Sequence, residues 1–367
     1  MRYRPPGGGN ATVVTEYAKR AAVTTLVVGG VVVLALALWK IRLLVALLFL
    51  AFIIAAAMRP GIEALRRRGV PRGFGIGLNY VAFFAFLVGF LWIVVPRARD
   101  QVENAIEGLP SSRSELQEEA SESTGLRRDV LEGVQERLDE LPSATELVDP
   151  AVELGFLGFE ILIGIFFVLA SAAYWIFERE RAVDLITSLI PRPHRKKVRD
   201  TWDLIDMKLG AYVRGQGLLI VIVGTVLSLS FWSIGLPYWL LIGVFAGFVE
   251  IVPVIGPLTA GAVAVGVGLT VSWQLALVAG VIVLVARLLE DYVVIPRVLG
   301  EAVGLSPLLV LFSITSVAIL FGGFAVLLAI PIAATLATLV DVIVRGKDPS
   351  EEDVPAVIFS AKDAETG

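Results

Sequence analysis

The feature that most constrains this chain is a series of long apolar runs. Three of them, residues 21–38, 43–58 and 74–95, lie in the first hundred residues. Hydrophobic residues make up 56% of the sequence, and its mean hydropathy of +0.80 does not fit a soluble protein. A helix needs about 20 apolar residues to cross a bilayer, and in lipid the backbone must satisfy its own hydrogen bonds. The runs therefore predict an all-α polytopic integral membrane protein whose main partner is the lipid bilayer.

Composition excludes several classes of function. The chain has no cysteine and a single histidine, His194. It therefore cannot build a thiolate zinc site, an iron–sulfur cluster, a cysteine nucleophile or a multi-histidine metal centre. The apolar runs also lack the Ser–His pair or the two separated aspartates that an intramembrane protease needs. We expect no enzyme activity, no cofactor and no resident metal.

The alternation of apolar and charged stretches predicts the organisation of the chain, with about 7–8 hydrophobic segments in total. The predicted parts are a disordered cytoplasmic lead (1–20), three transmembrane helices (21–96), an extracytoplasmic amphipathic helical insertion (97–150), a fourth transmembrane helix (151–178), a basic cytoplasmic connector (179–208), a core of shorter segments with broken or re-entrant helices (209–345) and an acidic disordered cytoplasmic tail (346–367).

Basic residues that flank the apolar runs predict the orientation. Lys and Arg resist translocation, so the side that carries them is normally cytoplasmic. Four basic groups occur, at residues 2–20, 59–72, 179–199 and 345–347. One topology puts all four on the same side of a cell (inner, cytoplasmic) membrane, with both termini cytoplasmic and residues 97–150 outside. The net charge of −4 thus concerns orientation and does not indicate a nucleic-acid partner.

An acid and two prolines interrupt apolar sequence after Phe245. Proline removes a backbone donor and clashes with the preceding turn, so we expect a helix break around Pro253, Gly256 and Pro257. Secondary transporters place such breaks around an ion or a substrate, and Glu250 stands beside this one. The sequence predicts a re-entrant or discontinuous helix at membrane depth between residues 238 and 271. A kinked span, or a surface loop between short runs, is the alternative.

A second charged group follows the next apolar run. On a helix, Arg287 precedes Glu290 by three residues and Asp291 by four, so one guanidinium can reach both carboxylates. Charges near the bilayer centre are costly and normally face the bundle interior. We therefore expect these three residues to line an ion pathway, with a transported cation at Glu290 and Asp291. A snorkelling ion-pair cluster at the membrane edge is the alternative.

Two single polar residues are further candidates for the pathway. Glu160 stands in an otherwise apolar stretch, where it is either a protonatable intramembrane acid or a hydrogen-bond partner for a neighbouring helix. Gln216 either donates a hydrogen bond into the core or marks the start of a span.

Sequence elements in the second half of the chain resemble the AI-2E family of transporters. They follow one another in a fixed order over roughly residues 205–340, whereas only hydropathy supports the resemblance before that. The residues that carry it are Tyr212, Gly215 and Gln216; Glu250, Ile251, Pro253, Gly256 and Pro257; Pro296 and Gly300; Val303, Gly304, Leu305, Pro307 and Leu308; Leu320, Phe321 and Gly322; Ala329 and Pro331.

The resemblance implies a secondary transporter or exporter. Some family members are linked to export of autoinducer-2, and others look like sodium or lithium–proton antiporters. The family commonly has a polar, often amide, residue shortly before its Pro-x-x-x-Gly element, whereas this chain has Glu290 and Asp291 there. Its Phe-Gly-x-x-Gly spacing is also altered, to Phe321-Gly322-Gly323. The acidic pair favours coupling to a cation over transport of a neutral substrate.

Two function hypotheses follow for the whole chain. The leading one is ion-gradient-coupled secondary transport, either export of a small polar solute or exchange of a monovalent cation for protons, since no nucleotide-binding Gly-x-x-x-x-Gly-Lys-Ser/Thr motif is present. Its site is expected where the break at residues 253–257 meets the helix that carries Arg287, Glu290 and Asp291. The other is a membrane scaffold that binds a partner through residues 97–150. Burial of the charged cluster at mid-membrane would favour transport, and a location at the membrane edge would favour the scaffold. Neither hypothesis determines the oligomeric state, and both are compatible with a homo-oligomer.

Overall fold

The computed structural model of the protein describes residues 9–107, 148–252, 255–298, 304–355 and 357. These residues are mostly helical. The helices are α1 (Gly9–Lys40), α2 (Arg42–Arg67), α3 (Arg72–Glu107), α4 (Val148–Ser188), α5 (Arg192–Ser233), α6 (Trp239–Val249), α7 (Ile255–Val271), α8 (Trp273–Leu289), a π-helical turn (Glu290–Val294), α9 (Ile295–Val298), α10 (Pro307–Phe321), a 3₁₀ segment (Gly323–Leu328) and α11 (Ala329–Ile343).

Six helical stretches within the described ranges are long and apolar enough to cross a membrane, and three shorter apolar helices accompany them. The prediction of an all-α polytopic membrane protein is confirmed. The chain divides into two compact units, Met1–Phe49 and Leu50–Gly367. Within the first, the guanidinium of Arg42 lies over the ring of Trp39, 5.0 Å from its centroid. The functional residues considered below belong to the second unit.

The stretch that we expected to be a basic connector, residues 179–208, is mostly helical. It comprises the last turns of α4 and the first turns of α5, separated by a short turn before Arg192. At 1.5 Å per residue, the 41 residues of α4 and the 42 of α5 extend about 60 Å each. Since that is about twice the hydrocarbon thickness, the charged ends of both helices reach beyond it.

Other predicted boundaries also differ from the observed ones. The helix of the third apolar run does not end at Pro96, because α3 continues through this proline to Glu107. The helix of the fourth run ends at Ser188, well beyond residue 178. The rest of the predicted insertion, residues 108–147, lies outside the described residues, as do residues 1–8, 356 and 358–367 of the predicted lead and tail. The tail itself is described through residue 355 and again at Val357.

Small residues bring α6 against α5. A Cβ added to Gly247 would lie 2.7 Å from the carbonyl oxygen of Ile220, and one added to Gly243 would overlap the backbone of Ser228. Real side chains do not come so close, so the two backbones can pack at this distance only because glycine stands at both positions. A similar approach joins α7 to α8, where Gly268 packs against Ala276.

The predicted helix break is present, but it begins earlier than expected. Helix α6 ends at Val249, Glu250 begins a turn, and α7 starts at Ile255. Pro253 lies outside the described residues, whereas Gly256 and Pro257, expected to be non-helical, lie in the first turn of α7. A helix tolerates proline there because the N–H groups of its first turn have no acceptor within the helix.

Candidate functional site

The guanidinium of Arg287, near the end of α8, contacts three carboxylates. Its Nη1 lies 3.2 Å from Oε1 of Glu250 and 3.1 Å from Oε2 of Glu290, and its Nη2 lies 2.9 Å from Oδ1 of Asp291. The contacts to Glu290 and Asp291 are those that the spacing predicted. The contact to Glu250 joins this group to the helix break, 37 residues earlier in the chain. We call these four residues the carboxylate cluster.

The members of the carboxylate cluster differ in burial. The side chains of Glu250 and Glu290 are each 6% exposed, whereas Arg287 is 27% and Asp291 41% exposed. The expectation that the acids face the protein interior therefore holds for Glu290 and not for Asp291. Three carboxylates share one guanidinium, so the cluster carries excess negative charge when all of its members are ionised.

Backbone irregularity occurs at both acidic ends of the cluster. Glu250 is the residue at which α6 stops, and Glu290 and Asp291 open the five-residue π-helical turn Glu290–Val294. Such turns interrupt the regular helical bonding pattern and are frequent at functional sites. Consecutive side chains on a helical turn point in different directions. The side chain of Glu290 accordingly lies within the protein, whereas that of Asp291 faces its surface.

Gln216 of α5 contacts the helix break between α6 and α7. Its Nε2 donates a hydrogen bond of 3.1 Å to the main-chain carbonyl oxygen of Glu250, and the side chain of Gln216 is buried. A carbonyl at a helix end lacks its partner within the helix, so this bond satisfies one of those groups. Gln216 thus contacts the main chain of Glu250, and this contact agrees with the first of the two interpretations that its sequence position allows.

A cavity of about 120 Å³ adjoins the carboxylate cluster. Its charged lining consists of Glu250, Arg287 and Glu290, and the remaining walls are apolar side chains from α5 to α8 and the π-helical turn. Pro257, in the first turn of α7, is part of these walls. The carboxylates thus border a space large enough for water or a small ion, next to apolar surface.

Other predicted site residues lie apart from the cluster or close to it without contacting it. Glu160 is exposed on α4, and none of the contacts of Arg287 involves it. Gly256 is buried, and a Cβ added to it would overlap the carbonyl of Val249, so glycine permits the tight passage from the break into α7. Pro253 is outside the described residues.

A second buried ion-pair network was not predicted from the sequence. The side chain of Asp206 on α5 is 3% exposed and accepts a hydrogen bond of 2.5 Å from Nε of Arg179 on α4. Arg59 of α2 approaches the same carboxylate at 3.4 Å, and Asp203 pairs with both arginines. This network links α2, α4 and α5. The i, i+3 spacing of Asp203 and Asp206, which puts both on one helix face, was the sequence signal for this network. The many basic residues around them drew attention to a connector instead.

Comparison with known proteins assigns the chain to a family. The model of the AI-2E family transporters matches residues 29–345, which is most of the sequence. The chain belongs to the AI-2E transporter family. The match includes the apolar runs before residue 205, where the motifs gave no support, and it contains every residue of the carboxylate cluster.

Proteins similar to this chain occur in several bacteria. YrrI of Bacillus subtilis is 25% identical over 297 residues, covering 80% of this chain and 84% of YrrI. MT0215 of Mycobacterium tuberculosis is 26% identical over 339 residues, covering 88% of this chain and 89% of MT0215. PerM of Escherichia coli is 25% identical over 312 residues, covering 81% of this chain and 86% of PerM. The first two are named as proposed transport proteins and the third as a proposed permease.

Proposed function

We propose that this AI-2E family member is a secondary transporter, not an enzyme, and that a cation gradient drives it through the carboxylate cluster. The observation that carries the proposal is the sharing of one guanidinium, Arg287, by Glu250, Glu290 and Asp291. An uncompensated charge buried in protein is strongly unfavourable. The cluster therefore gains stability by binding a proton or a monovalent cation.

Coupling follows from competition for the same carboxylates. A proton on Glu250 or Glu290 neutralises the charge that a cation would otherwise neutralise, so binding of one disfavours binding of the other. If each occupied form exposes the cavity to one side of the membrane in turn, the protein exchanges the two ions. Export of a small polar solute in place of the cation requires the same site to bind that solute beside the apolar walls.

The orientation that we propose puts both termini in the cytoplasm of a cell whose inner membrane holds the protein. Two of the four basic groups in the sequence, at residues 59–72 and 179–199, support it, because ion pairs bring them together. Arg59 lies 3.4 Å from Asp206, which also binds Arg179, and Arg72 lies 3.1 Å from Glu180. Basic residues that meet at one end of the bundle match the cytoplasmic enrichment of Lys and Arg.

Lipid is the principal partner that we propose for the remaining surface. None of the apolar window within Arg72–Gln101 is buried. Acyl chains, or a second copy of the chain in a homo-oligomer, would cover such a helix.

The test is a counterflow assay with purified protein in proteoliposomes, using candidate monovalent cations and small polar solutes. We expect uptake of at least one cation by the wild type and its loss in Glu250→Gln and Glu290→Gln. Glu178→Gln is the matched control, because Glu178 pairs with Arg181 at the surface, 54% exposed. Equal uptake by wild type, control and both cluster variants would overturn the assignment of the site.

A further inference from the structure

The chain turns back on itself after its last helix. Helix α11 ends at Ile343, Gly346 adopts a left-handed backbone with φ of +71°, and residues 348–350 form a turn. The amide and hydroxyl of Ser350 both donate to Oδ1 of Asp348, at 2.9 and 2.7 Å. These bonds lower the pKa of Asp348 because they stabilise its charged form. The turn directs the following residues toward α5.

The segment after this turn docks on α5. Oε1 of Glu352 lies 2.8 Å from Nζ of Lys208, whose side chain is only 10% exposed and also donates to Thr338 of α11. Farther along, Val357 is 3% exposed and packs with Val354 against Ala211. A tail expected to be disordered thus places a partly buried ion pair and a buried apolar side chain against one face of α5.

Arg214 ties the docked segment to two helices. Its Nε donates to the carbonyl oxygen of Val357 at 3.0 Å, and its Nη1 donates to the carbonyl oxygen of Ala57 on α2 at 3.1 Å. Helices α2 and α5 also pack closely here, since a Cβ added to Gly210 of α5 would lie 2.5 Å from the carbonyl oxygen of Ala56 of α2. One guanidinium therefore holds the C-terminal segment, α2 and α5 together.

Helix α5 also carries Gln216, which binds the main chain at the helix break. Arg214 and Gln216 are two residues apart, so a shift of α5 relative to α2 at Arg214 would also move the support of Glu250. We infer that residues 348–355 and 357 form an autoinhibitory clamp that holds α2 against α5 and that release of this segment frees the transport site. The flux part of this inference rests on the proposed transport function.

The clamp predicts opposite outcomes for two neighbouring charge neutralisations. Glu352→Gln removes the partner of Lys208, whereas Glu351→Gln removes an exposed charge for which the described structure gives no side-chain contact. Glu352→Gln and deletion of residues 348–367 should each raise flux roughly fivefold or more, the lower end of typical coupling between sites. Glu351→Gln should leave flux unchanged. A synthetic peptide of residues 348–357 should inhibit the truncated protein, and the same peptide with Glu352→Lys should not.

Thiol labelling tests the clamp without reference to any substrate, since the chain has no cysteine. Ala211→Cys lies under Val357, and Ala260→Cys lines the cavity. Truncation should expose the first to a small methanethiosulfonate reagent and should speed labelling of the second roughly fivefold. Ser233→Cys, exposed at the far end of α5, should label equally in both backgrounds.

The labelling results separate failure of the clamp from failure of the transport proposal. Unchanged labelling of Ala211→Cys after truncation would overturn docking of the segment, and faster labelling there with no change at Ala260→Cys would overturn its control of the site. Flux that falls on truncation, with no rise in Glu352→Gln, would assign the segment a structural role and also refute the clamp. Increased labelling at both positions without measurable flux would support the clamp and count against the transport proposal.

Discussion

Removing Arg287 tests the electrostatics of the carboxylate cluster most directly. Arg287→Ala deletes the one cation that contacts Glu250 and Glu290 among the described residues; both carboxylate side chains are 6% exposed. Removing one partner of a buried pair costs about 3–5 kcal/mol, whereas an exposed pair is worth about 0–1 kcal/mol. The contact to Asp291 belongs to the exposed class, because that carboxylate is 41% exposed. The partial exposure of Arg287 itself puts the expected loss near the lower limit, about 3 kcal/mol.

This loss is measurable as a change in thermal unfolding in detergent. With a typical unfolding entropy of about 2.1 cal/mol/K per residue, 3 kcal/mol corresponds to a fall of about 4 °C for this chain. Tryptophan fluorescence reports the transition, since the chain has seven tryptophans. The control is Arg345→Ala, which removes a surface arginine, 66% exposed, from its pair with Asp341. We expect the control to shift the transition by about 1 °C or less.

A compensating variant completes the test. Combining Arg287→Ala with Glu250→Gln and Glu290→Gln removes the buried charges together with their partner. We expect this triple variant to recover most of the lost thermal stability and none of the flux. If Arg287→Ala unfolds at the same temperature as Arg345→Ala, the cluster is a solvated helix end and the charge argument fails.

Three further predictions concern other parts of the molecule. Gly256→Ala should reduce stability, because the added Cβ would overlap the carbonyl of Val249. Gly266→Ala, which has open space around it, should leave stability unchanged, and the thermal unfolding temperatures of the two variants test this difference. Asp206→Asn should lower stability by about 3 kcal/mol, because buried Arg179 loses one of its charged partners. Asp184→Asn removes a charge from an exposed pair and should change stability by less than about 1 kcal/mol, so equal effects of the two variants would contradict this prediction. Ser112→Cys should label only from outside intact cells, and labelling only from the cytoplasmic side would refute the topology.

Local spacing made one half of the site predictable and tertiary packing hid the other. Arg287, Glu290 and Asp291 lie within one helical turn, so their pairing required no knowledge of the fold. The contact between Arg287 and Glu250 depends on how the end of α6 packs against α8, and no sequence period encodes that approach. The sequence therefore predicted that the break meets the helix of Arg287, but it did not predict the direct contact between Arg287 and Glu250.

Charged residues near helix ends were the main source of error. Arg179 and Asp206 stand in a strongly basic stretch, which indicated a solvated connector, yet α4 and α5 continue through it and bury both side chains. Prolines located the break only approximately. Pro257 sits in the first turn of α7, where proline is tolerated, so the break precedes it.

Glu250 and Glu290 are the residues that we propose bind the coupling ion. The most direct measurement uses proteoliposomes that contain a pH-sensitive dye and follows internal pH after a monovalent cation gradient is imposed. We predict a rapid cation-dependent pH change with the wild type and its abolition in the Glu250→Gln/Glu290→Gln double variant. The Glu178→Gln control should match the wild type. A double variant that unfolds at the wild-type temperature and yet gives the full pH change would contradict the claim.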